Sequence, residues 1–475
     1  MATDHVSRTE KPRMSGRAMR VPQEETILQE STGLAGSPDI SQGGPKGYWG
    51  NAYLQVFALF TVLAIIFSIA PVSHVLKGKK NKDYPLWYRT GRKIVEGNDI
   101  YPKDHRPFPF MYPPSCATML AVATFAGEVP FVIGLVVLNT TAWLSCVLLS
   151  VYLATGHAFR QHPLLYLVPS LCVIPFVSDM YLLGQPNLFL LALMLGALAC
   201  LRIRRPWSAG GLMALAAAVK AFPVMAIGYL VYRRQWKATA AMVAWLAILL
   251  LVLPSGFRGP VRAWDDLGTW TRGMVLKYDS GSIAQRPDRS YSYKNQSMMA
   301  LVNRMLRPVL ADGEADRRWR VNVADLGFRG VNAVILLVAA SLCLFYMATM
   351  PSQPRRTDRT DAIEGGMLLL MIVFFSPLSF NYFYVWLIYP LAVALSMVLE
   401  APEKSRERLL LSVWLGAPLV LLSLAIPFLR ESQAYGNLFF AGLILMVGLG
   451  LMMRRIWSNA APLGGGTSSL GSIAS

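Results

Sequence analysis

Apolar residues fill long runs between residues 51 and 453, and polar residues gather in clusters between them. A helix crossing the ~30 Å hydrocarbon layer needs about 20 mostly apolar residues. The first run of that length covers Tyr53 to Pro71. Further runs predict spans at 130–153, 164–182, 187–201, 236–254, 329–350, 363–380, 382–399, 409–428 and 436–453. Two shorter pieces, 208–219 and 222–232, are separated by Lys220 and Pro223, and a third, 113–126, follows Tyr112-Pro113-Pro114. With the two pieces as a hairpin of short spans and the third as a re-entrant or interfacial helix, the chain has about 12 spans with both ends inside.

Composition sets the class. The 475 residues are 54% hydrophobic and 15% charged, with a mean hydropathy of +0.41. Soluble domains average about a quarter charged residues, which excludes an ordinary soluble enzyme and a disordered chain. The expected fold is an all-α polytopic membrane protein, with 1–47 a disordered cytoplasmic tail, 48–456 the transmembrane domain and 457–475 a flexible C-terminal tail. The net charge of +18 sits largely at the ends of apolar runs. Anionic headgroups and the cytoplasmic preference of cations explain it without nucleic acid. Cys116, Cys146, Cys172, Cys200 and Cys343 lie in apolar stretches with no C-x-x-C pair, which suits packing. The histidines do not cluster at ligand spacing, so no metal site is expected.

The cations also orient the chain. Arg8, Lys11, Arg13, Arg17, Arg20 and Lys46 place the N-terminal tail in the cytoplasm. Alternation then puts Arg202, Arg204, Arg205, Arg233, Arg234, Arg355, Arg356, Arg359, Arg406, Arg408, Arg454 and Arg455 inside. The polar features left for the outer face are the loop 77–112, Gly184-Gln185-Pro186-Asn187, the tip at Lys220, the loop 255–328 and the turn around Ser379–Phe383. Both long loops are rich in Lys and Arg, but long loops translocate largely regardless of charge.

The common nucleotide-binding, zinc-hydrolase and serine-hydrolase signatures are absent from the sequence. Asp83 follows a span exit and precedes Tyr84-Pro85-Leu86-Trp87-Tyr88. It either balances Lys79, Lys80 and Lys82 or accepts a proton from a hydroxyl. Trp87, Tyr88, Tyr101 and Tyr112 form either an interfacial belt or a sugar-stacking platform. Lys220 stands in a long uncharged stretch, where a cation marks a functional site unless it snorkels to the interface. Gln185 and Asn187 bind hydroxyls or phosphate, or else join helices. Asn295-Gln296-Ser297, with Arg304 beyond, lies in the second long loop and matches the N-x-S glycosylation pattern. Asp179, near the outer end of its span, is a second polar anchor.

These segments resemble the polyprenyl-phosphate-mannose-dependent enzymes of glycosyltransferase family 87, within the GT-C superfold. The matching pieces are Asp83-Tyr84 with Tyr88, Gly97-x-x-x-Tyr101, Tyr112-Pro113-Pro114 and Gly184-Gln185-Pro186-Asn187. Ala209-Gly210-Gly211 leading to Lys220-x-x-Pro223, Asn295-Gln296-Ser297 and Ser376-Pro377-x-Ser379 follow in the family's order. The resemblance implies a GT-C-like bundle and an inverting hexosyl transfer at the non-cytoplasmic face of the plasma (inner) membrane. The donor it implies is a sugar, typically mannose, on a polyprenyl monophosphate. The acceptor is an unspecified glycan, lipid or protein, and no cofactor or metal is needed. The family's base maps onto Asp83. The family usually has one or two histidines after the Ser-Pro-x-Ser turn. Here Phe380-Asn381-Tyr382-Phe383 follows, so Asn381 or Tyr382 substitutes or the specificity differs.

Breaking a sugar–phosphate bond builds negative charge on the lipid phosphate, which fixed cations stabilise in a water-poor site. Lys220, Arg89, Arg92 and Arg304 are the candidates for that role, and Tyr84, Tyr88, Tyr101, Tyr112, Gln185, Asn187, Asn295, Gln296, Asn381 and Tyr382 for binding substrate. A transporter or flippase of a lipid-linked or anionic substrate is the alternative, using the same cations along a path. A relative that adds a sugar or aminosugar to lipid A or protein is a further one. Its usual paired acids are missing here, since Asp83 is followed by Tyr84.

Overall fold

The computed structural model describes residues 46–79, 82–102, 107–283, 290–312, 319–425 and 429–459. Most of both expected tails, residues 1–45 and 460–475, lies outside these. The apolar runs become helices. In chain order they are α1 (Lys46–Leu76), α2 (Tyr84–Val95), α3 (Pro114–Thr124), α4 (Glu128–Thr155), α5 (Pro163–Cys172) and α6 (Ile174–Leu183). Then come α7 (Asn187–Arg202), α8 (Pro206–Val219), and a 3-10 turn at Phe222–Met225 leading into α9 (Ala226–Tyr232). α10 (Trp236–Ala247) continues through a π-turn at Ile248–Val252 into α11 (Leu253–Arg258). The long polar stretch from 255 to 328 holds α12 (Pro260–Trp270), a short antiparallel hairpin of β1 (Tyr278–Asp279) and β2 (Ser282–Ile283), and α13 (Met298–Leu306). The remainder is α14 (Gly327–Thr349), α15 (Asp358–Phe375), a 3-10 segment at Asn381–Leu387, α16 (Ile388–Glu400), α17 (Arg406–Ser423), α18 (Arg430–Ala434) and α19 (Asn437–Asn459).

This is the all-α polytopic architecture expected, with a different count of full spans. Among the described residues six helical segments are long and apolar enough to cross a membrane, or seven if α5 and α6 form one span. The expected 12 also included shorter and broken pieces. The run 164–182 bends by 62° between α5 and α6, where Pro175 in the first turn of α6 has no N–H to continue the ladder. α7 and α8 are short apolar helices, and α15 and α17 open with charged turns carrying Asp358, Arg359 and Asp361, and Arg406, Glu407 and Arg408.

Lipid tails are as apolar as leucine, so helices in a membrane associate through close packing of small residues. α8 and α10 show this directly. A Cβ built on Gly210 would stand 2.3 Å from the Ala238 carbonyl oxygen and 2.7 Å from the Ala241 Cβ. That contact fixes the position of α8 and therefore of Lys220, which caps its C-terminus in an extended conformation. α16 is buried on all sides from Ile388 to Val398, as a central helix must be.

Ion pairs gather the arginine-bearing turns at one end of the bundle. Arg202 meets Asp358 at 2.6 Å and Arg455 meets Glu407 at 3.1 Å, and Arg359 pairs with Glu400. Arg233 grips the fully buried Glu364 through Nε, 2.7 Å from Oε1, and Nη2, and its Nη1 donates to the Pro351 carbonyl at 2.9 Å. α7 begins at Asn187 and ends at Arg202 in this cluster, so its N-terminus lies about 24 Å away along the axis.

Candidate active site

Asp83 is the N-cap of α2, a position where an aspartate normally bonds to the first free N–H groups. Here its side chain makes no capping bond. Instead Oδ2 accepts from Gln185 Nε2 at 2.5 Å, and Oδ1 accepts no hydrogen bond among the described residues. The two residues meet because the start of α2 is clamped to the end of α6. Tyr84 donates to the Tyr181 carbonyl at 2.7 Å, and its ring would stand 3.0 Å from any Cβ at position 184. Gly184 also needs a left-handed φ of +71°, so glycine alone suits both demands and turns Gln185 toward Asp83.

The polar run continues from Gln185. Tyr112 donates to Gln185 Oε1 at 2.7 Å, and Tyr101 donates to the Tyr112 carbonyl at 2.6 Å. Burial first, then nearby Tyr382 and Asp83, push the Tyr112 phenol well above its ordinary pKa, so it remains a donor. Its ring faces Lys220, whose Nζ lies 5.4–5.8 Å from the ring centroids of Tyr112, Phe222, Tyr382 and Phe383. Nζ donates to Asn187 Oδ1 at 3.1 Å. Asn187 is fully buried at the first position of α7, and its Nδ2 has no partner among the described residues. Trp386 fixes it by donating to its carbonyl at 3.0 Å. An ammonium, an unspent amide N–H and the free N–H groups of a helix start thus converge on one place, a combination suited to an anion.

Asp83, Tyr112, Gln185, Asn187, Lys220 and Tyr382 therefore share one site. Other expected residues stand elsewhere. Arg304 is fully buried and donates to the carbonyls of Ala434 at 3.0 Å, Ser292 at 2.8 Å and Asn295 at 2.6 Å. These bonds tie the segment ahead of α13 to the end of α18, so the guanidinium is engaged with backbone carbonyls. Arg92 pairs with Glu96 along its own helix at 3.0 Å, and the exposed Arg89 donates to the Pro85 carbonyl at 3.0 Å, so neither lies in the cation pocket. Asn295 and Gln296 are buried fasteners. Asn295 Nδ2 donates to the carbonyls of Ser290 at 2.7 Å and Pro377 at 3.0 Å, and the Gln296 backbone N–H donates to the Ser379 carbonyl at 2.8 Å. Tyr84 and Tyr101 brace the walls as described, Tyr88 packs edge-on against Phe131, and Asn381 Nδ2 donates to Gln433 Oε1 at 2.6 Å. The rings of Phe222 and Phe383 around Lys220 were absent from the sequence expectations. Their adjacency to Lys220 and to Tyr382 was the available signal.

Residues 110–377, more than half of the chain, match the model of Glycosyltransferase family 87. The chain belongs to glycosyltransferase family 87. The matched segment of this family 87 protein holds Tyr112, Gln185, Asn187 and Lys220, whereas Asp83 and Tyr382 lie outside it. Among curated proteins it is similar to the polyprenol-phosphate-mannose-dependent alpha-(1-2)-phosphatidylinositol mannoside mannosyltransferase of one Mycobacterium tuberculosis strain. The identity is 23% over 225 residues, covering 47% of this chain and 44% of that protein. It is also similar to the polyprenol-phosphate-mannose-dependent alpha-(1-2)-phosphatidylinositol pentamannoside mannosyltransferase of another strain. There the identity is 29% over 359 residues, covering 72% of this chain and 71% of that protein. The chain thus spans less than half the length of the first relative and under three quarters of the second.

A separate apolar cavity of about 490 Å³ opens between α1 and α4, lined by residues such as Phe60, Ile69, Val72 and Trp143. Neither Asp83 nor Lys220 borders it. Its link to the site is indirect: the hydroxyl of Thr140, on its wall, lies 2.9 Å from that of Tyr181, whose carbonyl holds Tyr84.

Proposed function

We propose that this family 87 protein transfers mannose from a polyprenyl-phosphate donor to an acceptor hydroxyl, with inversion at the anomeric carbon. Asp83 Oδ1 takes the proton of the acceptor hydroxyl, and the acceptor oxygen bonds to C1 of the sugar. The bond between C1 and the phosphate oxygen breaks, and its electron pair leaves with the polyprenyl phosphate. Lys220, the Asn187 amide and the first turn of α7 hold that growing charge. Gln185 aims the carboxylate, and Tyr112 holds Gln185 with its amide N–H toward Asp83 and its oxygen turned away.

The observation that carries this reading is the hydrogen-bonded run Asp83–Gln185–Tyr112, ending against the Lys220–Asn187 pair. It sets a carboxylate with one free oxygen beside a site built for an anion. The two relatives, both named as polyprenol-phosphate-mannose-dependent, support the donor. The ion-paired arginine turns at the far end of α7 support an outer-face site, because cations favour the cytoplasm. The test is transfer of radiolabel from polyprenyl-phosphate mannose to a panel of mannosylated lipids by the purified full chain. Labelled product from that donor, with none from a nucleotide sugar, is the expected result. Net movement of intact donor across proteoliposomes without any glycoside product would replace it with the transporter reading.

A further inference from the structure

Tyr112 holds Gln185 in the mechanism above, yet no regular element holds Tyr112. The described residues between α2 and α3, 96–102 and 107–113, form neither helix nor strand. Their backbone carbonyls therefore need partners from elsewhere in the fold. Two of these carbonyls bear on Tyr112. The Met111 carbonyl belongs to the peptide that enters Tyr112, and Trp270 Nε1 donates to it at 3.0 Å. The Tyr112 carbonyl belongs to the peptide that leaves it, and the Tyr101 hydroxyl donates to it at 2.6 Å. A planar peptide held at its carbonyl keeps little freedom, and Pro113 restricts the backbone of the residue before it. With both flanking peptides held, the Cα–Cβ bond of Tyr112 has one direction. The ring packs on Trp87, with centroids 4.5 Å apart, and the phenol reaches Gln185 Oε1 at 2.7 Å.

Trp270 is set in turn by the corner between α11 and α12. Arg258, the last residue of α11, donates from Nε to Asp266 Oδ2 of α12 at 2.5 Å and from Nη1 to the Asn98 carbonyl at 2.9 Å. The side chains of this pair are only 1% and 12% exposed, so losing either partner would strand the other. The neighbouring bridge from Arg262 to Asp99, at 2.7 Å, is 40% and 44% exposed and worth little. α12 runs about 15 Å from Pro260 to Trp270. Arg258 at its start thus grips the segment 96–102, and Trp270 at its end grips the segment 107–113.

We propose that Trp270, together with Tyr101, is a positioning residue of the transfer reaction. The two fix the peptides on either side of Tyr112, so that its phenol orients Gln185 and, through Gln185, Asp83. The role rests on the reading of Asp83 as the base in mannose transfer. Misplacement by about 1 Å in such a chain costs up to about a hundredfold in rate. Trp270→Phe keeps a ring and removes the N–H, and Tyr101→Phe removes only a hydroxyl. Each full-length variant is expected to lose about tenfold in kcat per folded molecule, with the KM for polyprenyl-phosphate mannose within about twofold of wild type. In a Tyr112→Phe background neither change should lower kcat further, because the hydroxyl they aim is already gone. Wild-type kcat in Trp270→Phe, or a loss that multiplies with that of Tyr112→Phe, overturns the positioning role. A cryo-EM structure of Trp270→Phe gives a readout free of activity. There the Tyr112 hydroxyl is expected beyond about 3.5 Å from Gln185 Oε1, and a contact kept at the wild-type distance overturns the proposal. If that contact is lost and the wild type transfers no mannose, the positioning stands and the transferase reading falls. If the wild type transfers mannose while both the contact and kcat survive in Trp270→Phe, the reading stands and the positioning falls.

Discussion

Replacing Lys220 by methionine removes one positive charge and keeps an unbranched stem of similar reach. In the wild type Nζ is held 3.1 Å from Asn187 Oδ1 within a box of aromatic rings, so little reorganisation is needed when an anion forms beside it. A pre-placed donor on a developing oxyanion is worth roughly 2.7–4 kcal/mol, or about 10²–10³ in kcat. Coulomb's law gives the same size: at an effective dielectric of about 20, a unit charge ~4 Å away contributes about 4 kcal/mol. K220M should therefore lose about 10²–10³-fold in kcat with polyprenyl-phosphate mannose. Its melting temperature should hold, since a thioether packs well against rings. Lys220→Arg keeps the charge but must fit a planar fork among rings centred 5.4–5.8 Å from Nζ, so it should recover only part of the rate. Initial rates at varied donor concentration, with a thermal melt of each variant, decide the matter. A K220M protein with kcat within about twofold of wild type would refute the role assigned to the cation.

Gln185→Leu strips Asp83 of its hydrogen bond and orphans the Tyr112 hydroxyl, so steady-state kinetics should show kcat down roughly ten- to a hundredfold with little change in donor KM. Arg304→Met leaves the Ala434, Ser292 and Asn295 carbonyls without a donor at a cost of about 1–3 kcal/mol each. A lowered melting temperature with unchanged kcat per folded molecule is the outcome that separates this structural role from phosphate binding. Glu364→Ala strands the buried Arg233 charge, a loss of about 3–5 kcal/mol, and the double variant with Arg233→Met should regain much of it in a denaturation series.

The sequence carried more of the site's membership than of its form. Gln185 and Lys220 stood out because each interrupts an apolar context, and expense in lipid is a local property, whereas Asp83 stood out by its place between a span exit and an aromatic-rich stretch. The partners of Arg304 are backbone carbonyls of Ser292, Asn295 and Ala434, which have no side-chain signature, so its engagement could not be read from residue types. Arg89 and Arg92 show the converse: both occupy the loop of Asp83, yet helix α2 directs their bonds to Pro85 and Glu96. Hydropathy alone placed a straight span at 164–182, where Pro175 and the bend beside Val173 break it, although a proline in a long apolar run is an available warning. Phe222 and Phe383 became part of the site only because the chain turns sharply after α8 and after Ser379, a feature of packing that periodicity does not report.

The most direct test concerns a single oxygen. Asp83→Asn preserves the shape of the side chain and removes its ability to accept a proton, and a positioned base contributes about 10²–10⁴-fold. Single-turnover transfer from polyprenyl-phosphate mannose, measured beside donor affinity on the same preparation, should fall by that factor while affinity stays within about twofold. Transfer at the wild-type rate by the asparagine protein would contradict the assignment of Asp83 as base and, with it, the mechanism.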